Sequence, residues 1–349
     1  MLPQTRNLAK SRLPPIVEAL LKPQAYPHKP QEIKLVQTQM SFLFLTGDYV
    51  YKVKKPVNLG YLDYTTLEKR RFFCHQELEL NRRLCPEIYL AVVPITMSLR
   101  GAKRRSNLLS VEGEGKIIEY AVKMKQLPQN RMMDVLLHNG QVTHEMIGRV
   151  AEKLANFHRK AATNPEIATF GNLSVIRQNC DENFTQTEKY IGVSIPARKY
   201  DQIKSYTNNF INSNSSLFDK RVSEGKVRDC HGDLHAAHIC FTDDICIYDC
   251  IEFNDRFRYC DVASEVAFLA MDLDRYQQAN LSKHFVTTYV ELGQDEELLR
   301  LLNFYKCYRA YVRGKVESFK LDDPYIPEEE KAKVLATAKK YFELAGSYI

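Results

Sequence analysis

The residue pattern of this chain changes character at about residue 125, and this change limits its possible folds more than any other feature. Before it, short apolar or alternating runs are typical of β-strands and surround one helical segment at residues 65–84. After it, apolar residues at helical spacing predict α-helices at residues 142–161 and from residue 262 onward. The predicted strands lie at residues 31–37, 41–46, 49–57, 89–95 and 116–124. A sheet-rich part followed by a helix-rich part predicts an α+β fold of two lobes.

The lobe boundaries follow from the same pattern. The first lobe is predicted over residues 1–125, with an N-terminal tail at residues 1–30, and the second lobe over residues 130–349. Residues 126–129, Gln-Leu-Pro-Gln, form the predicted hinge between them. A length of 349 residues fits about two such units.

Composition argues against several function classes. No stretch approaches ~18 consecutive apolar residues, so no membrane span is expected. A net charge of +6 permits an anionic partner without requiring one. The basic run at residues 103–105 is typical of a solvated hairpin tip, so nucleic-acid binding is not expected, and no obligate protein partner is implied. The nine cysteines include no CxxC pair, which favours reduced thiols and a cytoplasmic location.

The strongest chemical signal is the run HGDLHAAH at residues 231–238. Asp233 in this run precedes an apolar strand, and Asp249 ends the next strand in Ile-Tyr-Asp. Acids at opposite ends of a hairpin can converge at one sheet edge. Phosphoryl transfer uses such a pair, since one carboxylate accepts the hydroxyl proton and another holds magnesium on the phosphates.

This stretch resembles the catalytic loop and metal-binding aspartate of the aminoglycoside and choline kinases, which have a protein-kinase-like fold. The resemblance covers roughly residues 227–275, and the sequence of this stretch is similar to an uncharacterised bacterial branch of that family. It implies ATP-dependent transfer of the γ-phosphate to a hydroxyl of a small molecule, with ATP and Mg²⁺ as cofactors. It also implies that Asp233 is the catalytic base, that Asp249 is the magnesium ligand, and that Asp261 supports the catalytic loop. His231 is expected to brace that loop by hydrogen bonds.

The nucleotide lysine is expected on the strand at residues 49–57. Strand alternation places Val50, Lys52 and Lys54 on one face. If Lys52 binds the phosphates, Val50 covers the adenine ring. If Lys54 binds the phosphates instead, the charged Lys52 side chain would lie against the adenine ring, which is less favourable. Lys52 is therefore predicted, with Lys54 as the alternative. Glu77 is the predicted partner of the lysine, because it shares the apolar face of helix 65–84 and a buried charge needs a partner.

Two further nucleotide contacts are expected in the first lobe. The glycine-rich loop of protein kinases is missing, and the turn at residues 37–41 takes its place, with Thr38 and Ser41 as donors to the phosphates. Adenine is expected to hydrogen-bond to the backbone between Met124 and residue 126.

One position departs from the family pattern. The second magnesium ligand is normally an asparagine five residues after the catalytic aspartate, and here that position is His238. A neutral imidazole suits softer metals better than magnesium. The departure leaves three options open, namely a single magnesium ion, the use of Mn²⁺, or weakened or lost activity.

Two rival interpretations remain open. A nucleotide-binding pseudokinase that acts as a regulator would explain His238. A metallohydrolase site could be formed by His231, His235, His238, Asp233 and Asp249. The phosphate acceptor is not determined by the sequence, although the net basic charge argues against a polycationic drug, and a sugar, a sugar acid or another hydroxyl metabolite fits equally well.

Overall fold

The computed structural model describes residues 13–98, 109–323 and 326–349. The predicted basic hairpin tip at residues 103–105 and the first part of the predicted tail lie outside these ranges. The chain forms two compact units. One comprises residues 1–135 and 239–255, and the other comprises residues 136–238 and 256–349. The hairpin segment 239–255 thus groups with the sheet-rich part, whereas the sequence pattern assigned everything after residue 129 to the second lobe.

The first unit is built around an antiparallel sheet of six strands. Two helices accompany it, α1 (Pro15–Leu20) and α2 (Leu67–Arg82). The strands are β1 (Lys34–Gln37), β2 (Ser41–Leu45), β3 (Tyr49–Lys54), β4 (Tyr89–Met97), β5 (Leu109–Val111) and β6 (Lys116–Lys125). Five of them lie close to the predicted strands, whereas β5 has no predicted counterpart. Across the sheet the strands run in the order β1-β2-β3-β6-β4-β5. The N-cap of α2 is Thr66, whose side chain accepts a hydrogen bond from the Lys69 amide.

Alternation along β3 separates two apolar clusters, one on each face of the sheet. Tyr51 and Val53 belong to the cluster that includes residues of α1. Val50 belongs to the other cluster, together with Cys74 and Leu78 of α2. Lys52 and Lys54 therefore share the α2 face with Val50, as the strand period predicts.

A short hairpin completes the first unit. Its strands are β8 (Ile239–Phe241) and β9 (Ile245–Ile247), which pair in antiparallel register. Cys246 of β9 forms a disulfide with Cys85, just after α2, across 161 residues of sequence. The expectation of reduced thiols is wrong for this pair, while the other seven cysteines are free.

The second unit is mainly helical. Its longer helices are α4 (His144–Lys160), α6 (Leu173–Thr187), α7 (Ala197–Ser213), α8 (Ser215–Ser223), α10 (Val262–Arg275), α11 (Ala279–Gly293), α12 (Leu298–Phe319) and α13 (Glu328–Gly346). The shorter helices are α3 (Met133–His138), α5 (Pro165–Ala168) and α9 (Asp255–Arg258). Helix α3 begins in the first unit and ends in the second. Two strands, β7 (Val227–Asp229) and β10 (Tyr259–Asp261), pair with each other. Because its partner β10 lies beyond residue 255, β7 is not part of the hairpin formed by β8 and β9. No helix in the described part of the chain is long and apolar enough to cross a bilayer.

Candidate active site

Lys52 of β3 lies at the centre of a charged group in the first unit. Its Nζ is 2.7 Å from the Glu77 carboxylate of α2 and 2.7 Å from Oδ1 of Asp249. The Lys52 side chain is 13% exposed and Glu77 is fully buried, but 41% of the Asp249 side chain is exposed. The structure thus brings together the predicted lysine, its predicted helix partner and the predicted metal ligand, and it leaves the Asp249 carboxylate accessible.

The second lysine of β3 is equally engaged. Lys54 is buried and donates to Oε2 of Glu77 at 2.7 Å and to Oε1 of Glu252. The Tyr64 hydroxyl donates to the same Glu252 oxygen at 2.5 Å. Glu77 therefore forms an ion pair with both lysines. Lys52 and Lys54 differ in their second carboxylate partner. Lys52 faces Asp249, and Lys54 faces Glu252 three residues later.

The charges of this group are unequal. It contains two ammonium groups, Lys52 and Lys54, and three carboxylates, Glu77, Asp249 and Glu252. Burial lowers the pKa of Lys52, but Asp249 and Glu77 outweigh burial and hold that pKa well above its ordinary value. Burial likewise opposes the charge of Glu77, yet the two lysines lower its pKa. Lys52, Lys54 and Glu77 are therefore charged at neutral pH, and the three carboxylates outnumber the two ammonium groups by one. Carboxylate oxygens with an excess negative charge suit a hard divalent cation such as Mg²⁺.

Asp249 has an unusual backbone conformation. Its φ is +63°, in the left-handed region that is uncommon for residues other than glycine. Its amide donates to the Tyr89 hydroxyl at 3.3 Å, and the next amide, that of Cys250, donates to Oδ1 of Asn81 at 2.9 Å. Side chains of α2 and β4 therefore hold a strained segment in place, which fixes the position of the Asp249 carboxylate.

Beside Lys52, the same face of the sheet carries an apolar surface. Val50, Val122 and Met124 are buried within one apolar cluster. After Met124, the Lys125 amide donates to the Ile88 carbonyl and the Gln126 amide donates to the Asp48 carbonyl, both at 2.9 Å. Two of the backbone donors expected near adenine are thus already used in this structure.

The side chain of Thr38 stabilises the turn between β1 and β2. Oγ1 of Thr38 accepts hydrogen bonds from the amides of Met40 at 3.2 Å and Ser41 at 2.9 Å. Lys55 donates to the Thr38 carbonyl at 2.6 Å, and Ser41 is buried. In this conformation the Thr38 hydroxyl organises the turn.

The HGD loop belongs to the second unit, where Asp233 is partly exposed. The Asp233 amide donates to Nδ1 of the buried His231 at 3.3 Å, so His231 contacts the backbone of this loop. Burial opposes ionisation of the Asp233 carboxyl, but the imidazoles of His235 and His238 and the guanidinium of Arg313 hold its pKa well below its usual range. Asp233 is therefore ionised at neutral pH and can accept a hydrogen bond from a hydroxyl group.

Glu265 of α10 anchors this loop, a role that the sequence pattern does not predict. Its carboxylate accepts hydrogen bonds from the amides of His231, at 2.9 and 3.0 Å, and Gly232, at 2.6 Å. Its Oε2 is also 2.8 Å from Nε2 of His158, whose Nδ1 is 2.7 Å from the Tyr289 hydroxyl. The burial of Glu265 disfavours its charge, but His158 outweighs it and lowers the pKa to about 2.

Asp261 has a different task from the one expected. Arg221 of α8 donates to both oxygens of Asp261, at 2.8 and 2.7 Å, and the Ala263 amide donates to Oδ1 as the N-cap of α10. The expectation that Asp261 supports the catalytic loop is replaced by this finding, because Glu265 makes the direct contacts. Asp261 instead fixes the start of the helix that carries Glu265.

Two histidines lie beside Asp233. His235 Nε2 and His238 Nδ1 are each 3.6 Å from Oδ2 of Asp233, and the two imidazole centroids are 3.9 Å apart. His238 Nδ1 is also 2.9 Å from the Asp233 carbonyl oxygen. The position where the family has an asparagine is thus occupied by an imidazole that contacts the predicted base.

Comparison with known proteins gives relatives without an assigned role. No protein-family profile matches the chain. Uncharacterized proteins of Mycobacterium tuberculosis and Mycobacterium bovis are 30% identical to it over 286 residues, which is 82% of this chain and 54% of each relative. The chain therefore spans about half the length of these curated relatives.

Comparison of structures identifies the fold. The crystal structure of a choline/ethanolamine kinase family protein from Mesorhizobium loti matches with a TM-score of 0.52 at 13% sequence identity. The match covers 95% of this chain and 98% of that one. At this identity the likeness concerns the fold alone. The chain therefore has an α+β, two-lobed kinase-like fold, similar to that of this choline/ethanolamine kinase family protein.

Proposed function

We propose that this protein is an ATP-dependent phosphotransferase that moves the γ-phosphate to a hydroxyl group of a small molecule. The observation that carries the proposal is the position of Lys52, 2.7 Å from both the Glu77 and the Asp249 carboxylates within one compact unit. A lysine between a helix glutamate and a metal-binding aspartate is the arrangement that phosphoryl transfer by this fold requires.

In this proposal, the first unit binds the nucleotide. Lys52 binds phosphate oxygens, and Glu77 orients its ammonium group. Asp249 binds Mg²⁺, and the bound ion neutralises charge on the phosphates. Val50 and Met124 contact the adenine through the apolar surface described above. The turn that carries Thr38 and Ser41 is proposed to face the phosphates. Rotation of the Thr38 side chain would release the amides of Met40 and Ser41 as hydrogen-bond donors to a phosphate.

The second unit supplies the base. Asp233 accepts the hydrogen bond of the acceptor hydroxyl and then its proton, and His231 and Glu265 hold the loop that carries Asp233. The lowered pKa keeps Asp233 ionised at neutral pH. Because a carboxylate with a low pKa is a weak base, its main contribution is to orient the acceptor hydroxyl, and proton transfer follows as the new P–O bond forms. His238 occupies the position of the second metal ligand.

The acceptor is proposed as a small metabolite alcohol. The Mesorhizobium loti protein is a choline/ethanolamine kinase family protein, so choline and ethanolamine are the first acceptors to test, followed by sugars and sugar acids. The protein is proposed to act in the cytoplasm, without nucleic acid, a membrane or an obligate protein partner.

The test is ATP turnover by the purified chain with Mg²⁺ and then Mn²⁺, measured as ADP release over a panel of these acceptors. Asp233→Asn is expected to reduce kcat at least about 100-fold while ATP still binds, because it removes the base alone. Asp249→Asn is expected to weaken both metal-dependent ATP binding and turnover. Exposed Asp219 provides the matched control, and Asp219→Asn should behave as wild type.

Two outcomes would contradict the proposal. Turnover that is equal in wild type, Asp233→Asn and Asp249→Asn would show that another site or a contaminant hydrolyses ATP. ATP binding without turnover, for either metal and every acceptor, would instead favour a nucleotide-binding pseudokinase.

A further inference from the structure

The side chains of Asp233, His235 and His238 converge on a small volume in the second unit. One carboxylate oxygen and one nitrogen of each imidazole lie within 4.8 Å of one another. The convergence has a local cause, since residues 236–238 form a 3₁₀ turn in which the His238 amide donates to the His235 carbonyl at 2.9 Å. Side chains three residues apart eclipse in such a turn, which brings the two imidazoles together above Asp233.

The spacing of the donor atoms fits a metal ion. Zinc binds imidazole nitrogen and carboxylate oxygen at about 2.0–2.2 Å in a tetrahedron, which separates neighbouring donors by about 3.4 Å. The observed separations, from Oδ2 of Asp233 to Nε2 of His235 and to Nδ1 of His238, are both 3.6 Å. Small rotations of these side chains reach the ideal value, and metal binding would replace the 2.9 Å contact of His238 Nδ1 with the Asp233 carbonyl.

The loop that carries these donors is held rigidly. Asp272 of α10 accepts a hydrogen bond from the Ala236 amide at 2.9 Å, Glu265 accepts from the Gly232 amide, and Arg309 of α12 donates to the Gly232 carbonyl at 3.2 Å. Because the backbone on both sides of Asp233 is fixed, little conformational entropy is lost when an ion binds. The Asp233 side chain is 31% exposed, so the site is open on one side and can take a water molecule as fourth ligand.

A second cluster in the same unit, His158, Cys230 and Glu265, has similar distances but different surroundings. Both nitrogens of His158 and both oxygens of Glu265 are already engaged in hydrogen bonds, and all three residues are buried. Metal binding there would break the contacts that anchor the HGD loop, so this cluster is structural.

We propose that Asp233, His235 and His238 form a binding site for one transition-metal ion, with zinc preferred over manganese and both preferred over magnesium. Two imidazoles and one carboxylate are borderline donors that favour zinc over the hard cation magnesium. This ion is distinct from the Mg²⁺ proposed at Asp249. A metal on Asp233 occupies the carboxylate that would receive the hydroxyl proton, so zinc is expected to inhibit any transferase activity.

Direct metal binding tests the site without nucleotide or acceptor, so the result does not depend on the proposed function. The full chain is titrated with zinc in competition with a chromophoric chelator, and cobalt(II) is used as a spectroscopic probe of the ligands. One equivalent of zinc should bind, magnesium should not displace it, and the cobalt spectrum should lack the charge-transfer band of a thiolate ligand. His238→Asn should raise the zinc Kd at least about 10-fold.

Two further variants make the result decisive. His235→Asn should weaken zinc binding as His238→Asn does, while His138→Asn, at the exposed end of α3, should leave the zinc Kd unchanged. Circular dichroism of each variant checks that the fold is intact. The proposal is overturned if zinc fails to bind, if His238→Asn and His235→Asn bind zinc as tightly as wild type, or if the cobalt spectrum shows thiolate ligands, which would place the metal on cysteines.

Discussion

Replacement of Glu265 by glutamine should destabilise the protein by about 3 kcal/mol at pH 7. The pKa of the fully buried carboxyl falls from 4.5 to about 2 on folding, and each pKa unit corresponds to about 1.4 kcal/mol. Glutamine has nearly the same shape but carries no charge and has one acceptor oxygen. It therefore loses the charge-assisted hydrogen bonds from the His231 and Gly232 amides and from His158.

The pH dependence of this loss has a definite sign. Since folding depresses the pKa of Glu265, its contribution is fully present above pH 4.5 and is lost as the pH falls towards 2. The difference in unfolding free energy between wild type and Glu265→Gln should thus shrink from about 3 kcal/mol at pH 7 to about 1.5 kcal/mol at pH 3. Other carboxyl groups titrate in both proteins, and their effects cancel in the difference.

Urea denaturation followed by circular dichroism at several pH values measures this difference. Glu291→Gln, at an exposed position of α11, is the matched control and should change stability by less than about 0.5 kcal/mol. A Glu265→Gln protein with wild-type stability at pH 7, or a difference that stays constant down to pH 3, would refute the electrostatic account of the loop anchor.

Three other perturbations test the remaining structure. Glu252→Gln should lower the unfolding free energy by about 3–5 kcal/mol in urea denaturation, because it removes a carboxylate from buried Lys54; wild-type stability would contradict a charged Lys54. Cys85→Ser should lower the melting temperature under oxidising conditions by an amount that corresponds to about 2–4 kcal/mol, because it removes the disulfide to Cys246. Under reducing conditions wild type also lacks the disulfide, so the substitution should have little effect. Equal effects in both conditions would argue against the disulfide. Gly171→Ala should destabilise by about 1–3 kcal/mol in thermal denaturation, because its added methyl would lie 2.3 Å from a Val227 methyl. Gly148→Ala in α4 is the control: its added methyl makes an ordinary 3.6 Å contact with Nε2 of His284, so it should be neutral or stabilising by up to about 1 kcal/mol. The reverse order would contradict the close packing of Val227 on Gly171.

Much of the fold was accessible from periodicity alone. The period of two along residues 50–54 correctly separated Val50, Lys52 and Lys54 from the residues of the opposite face. The apolar spacing in the helix around Glu77 correctly placed this carboxylate on the buried side, where it meets Lys52. These inferences worked because each depends on the geometry of a single element, which local sequence determines.

Inferences that depend on pairing between distant elements were less successful. β7 pairs with β10 rather than joining the hairpin at residues 239–247, and no local signal distinguishes these partners. The bridge between Cys85 and Cys246 spans 161 residues, so spacing alone could not indicate it.

The anchor of the HGD loop was missed for a related reason. Asp261 and Glu265 lie four residues apart around the start of α10, and both are acidic residues after the motif. The sequence assigned the support to Asp261, but the turn of the helix directs Glu265 to the His231 and Gly232 amides. A signal was present in the apolar surroundings of Glu265, since a charge on the buried side of a helix needs a partner.

The discontinuity of the first compact unit has a consequence for biosynthesis. Residues 1–135 leave the ribosome first, but their unit is complete only when residues 239–255 follow. Until then, Lys54 lacks Glu252 and Lys52 lacks Asp249, so one glutamate faces two lysines. The nascent first unit is therefore expected to stay sensitive to proteases and to need chaperone protection while the next hundred or so residues are translated. A truncated product that ends at residue 135 would retain Lys52 and Lys54 with Glu77 but without Asp249 and Glu252.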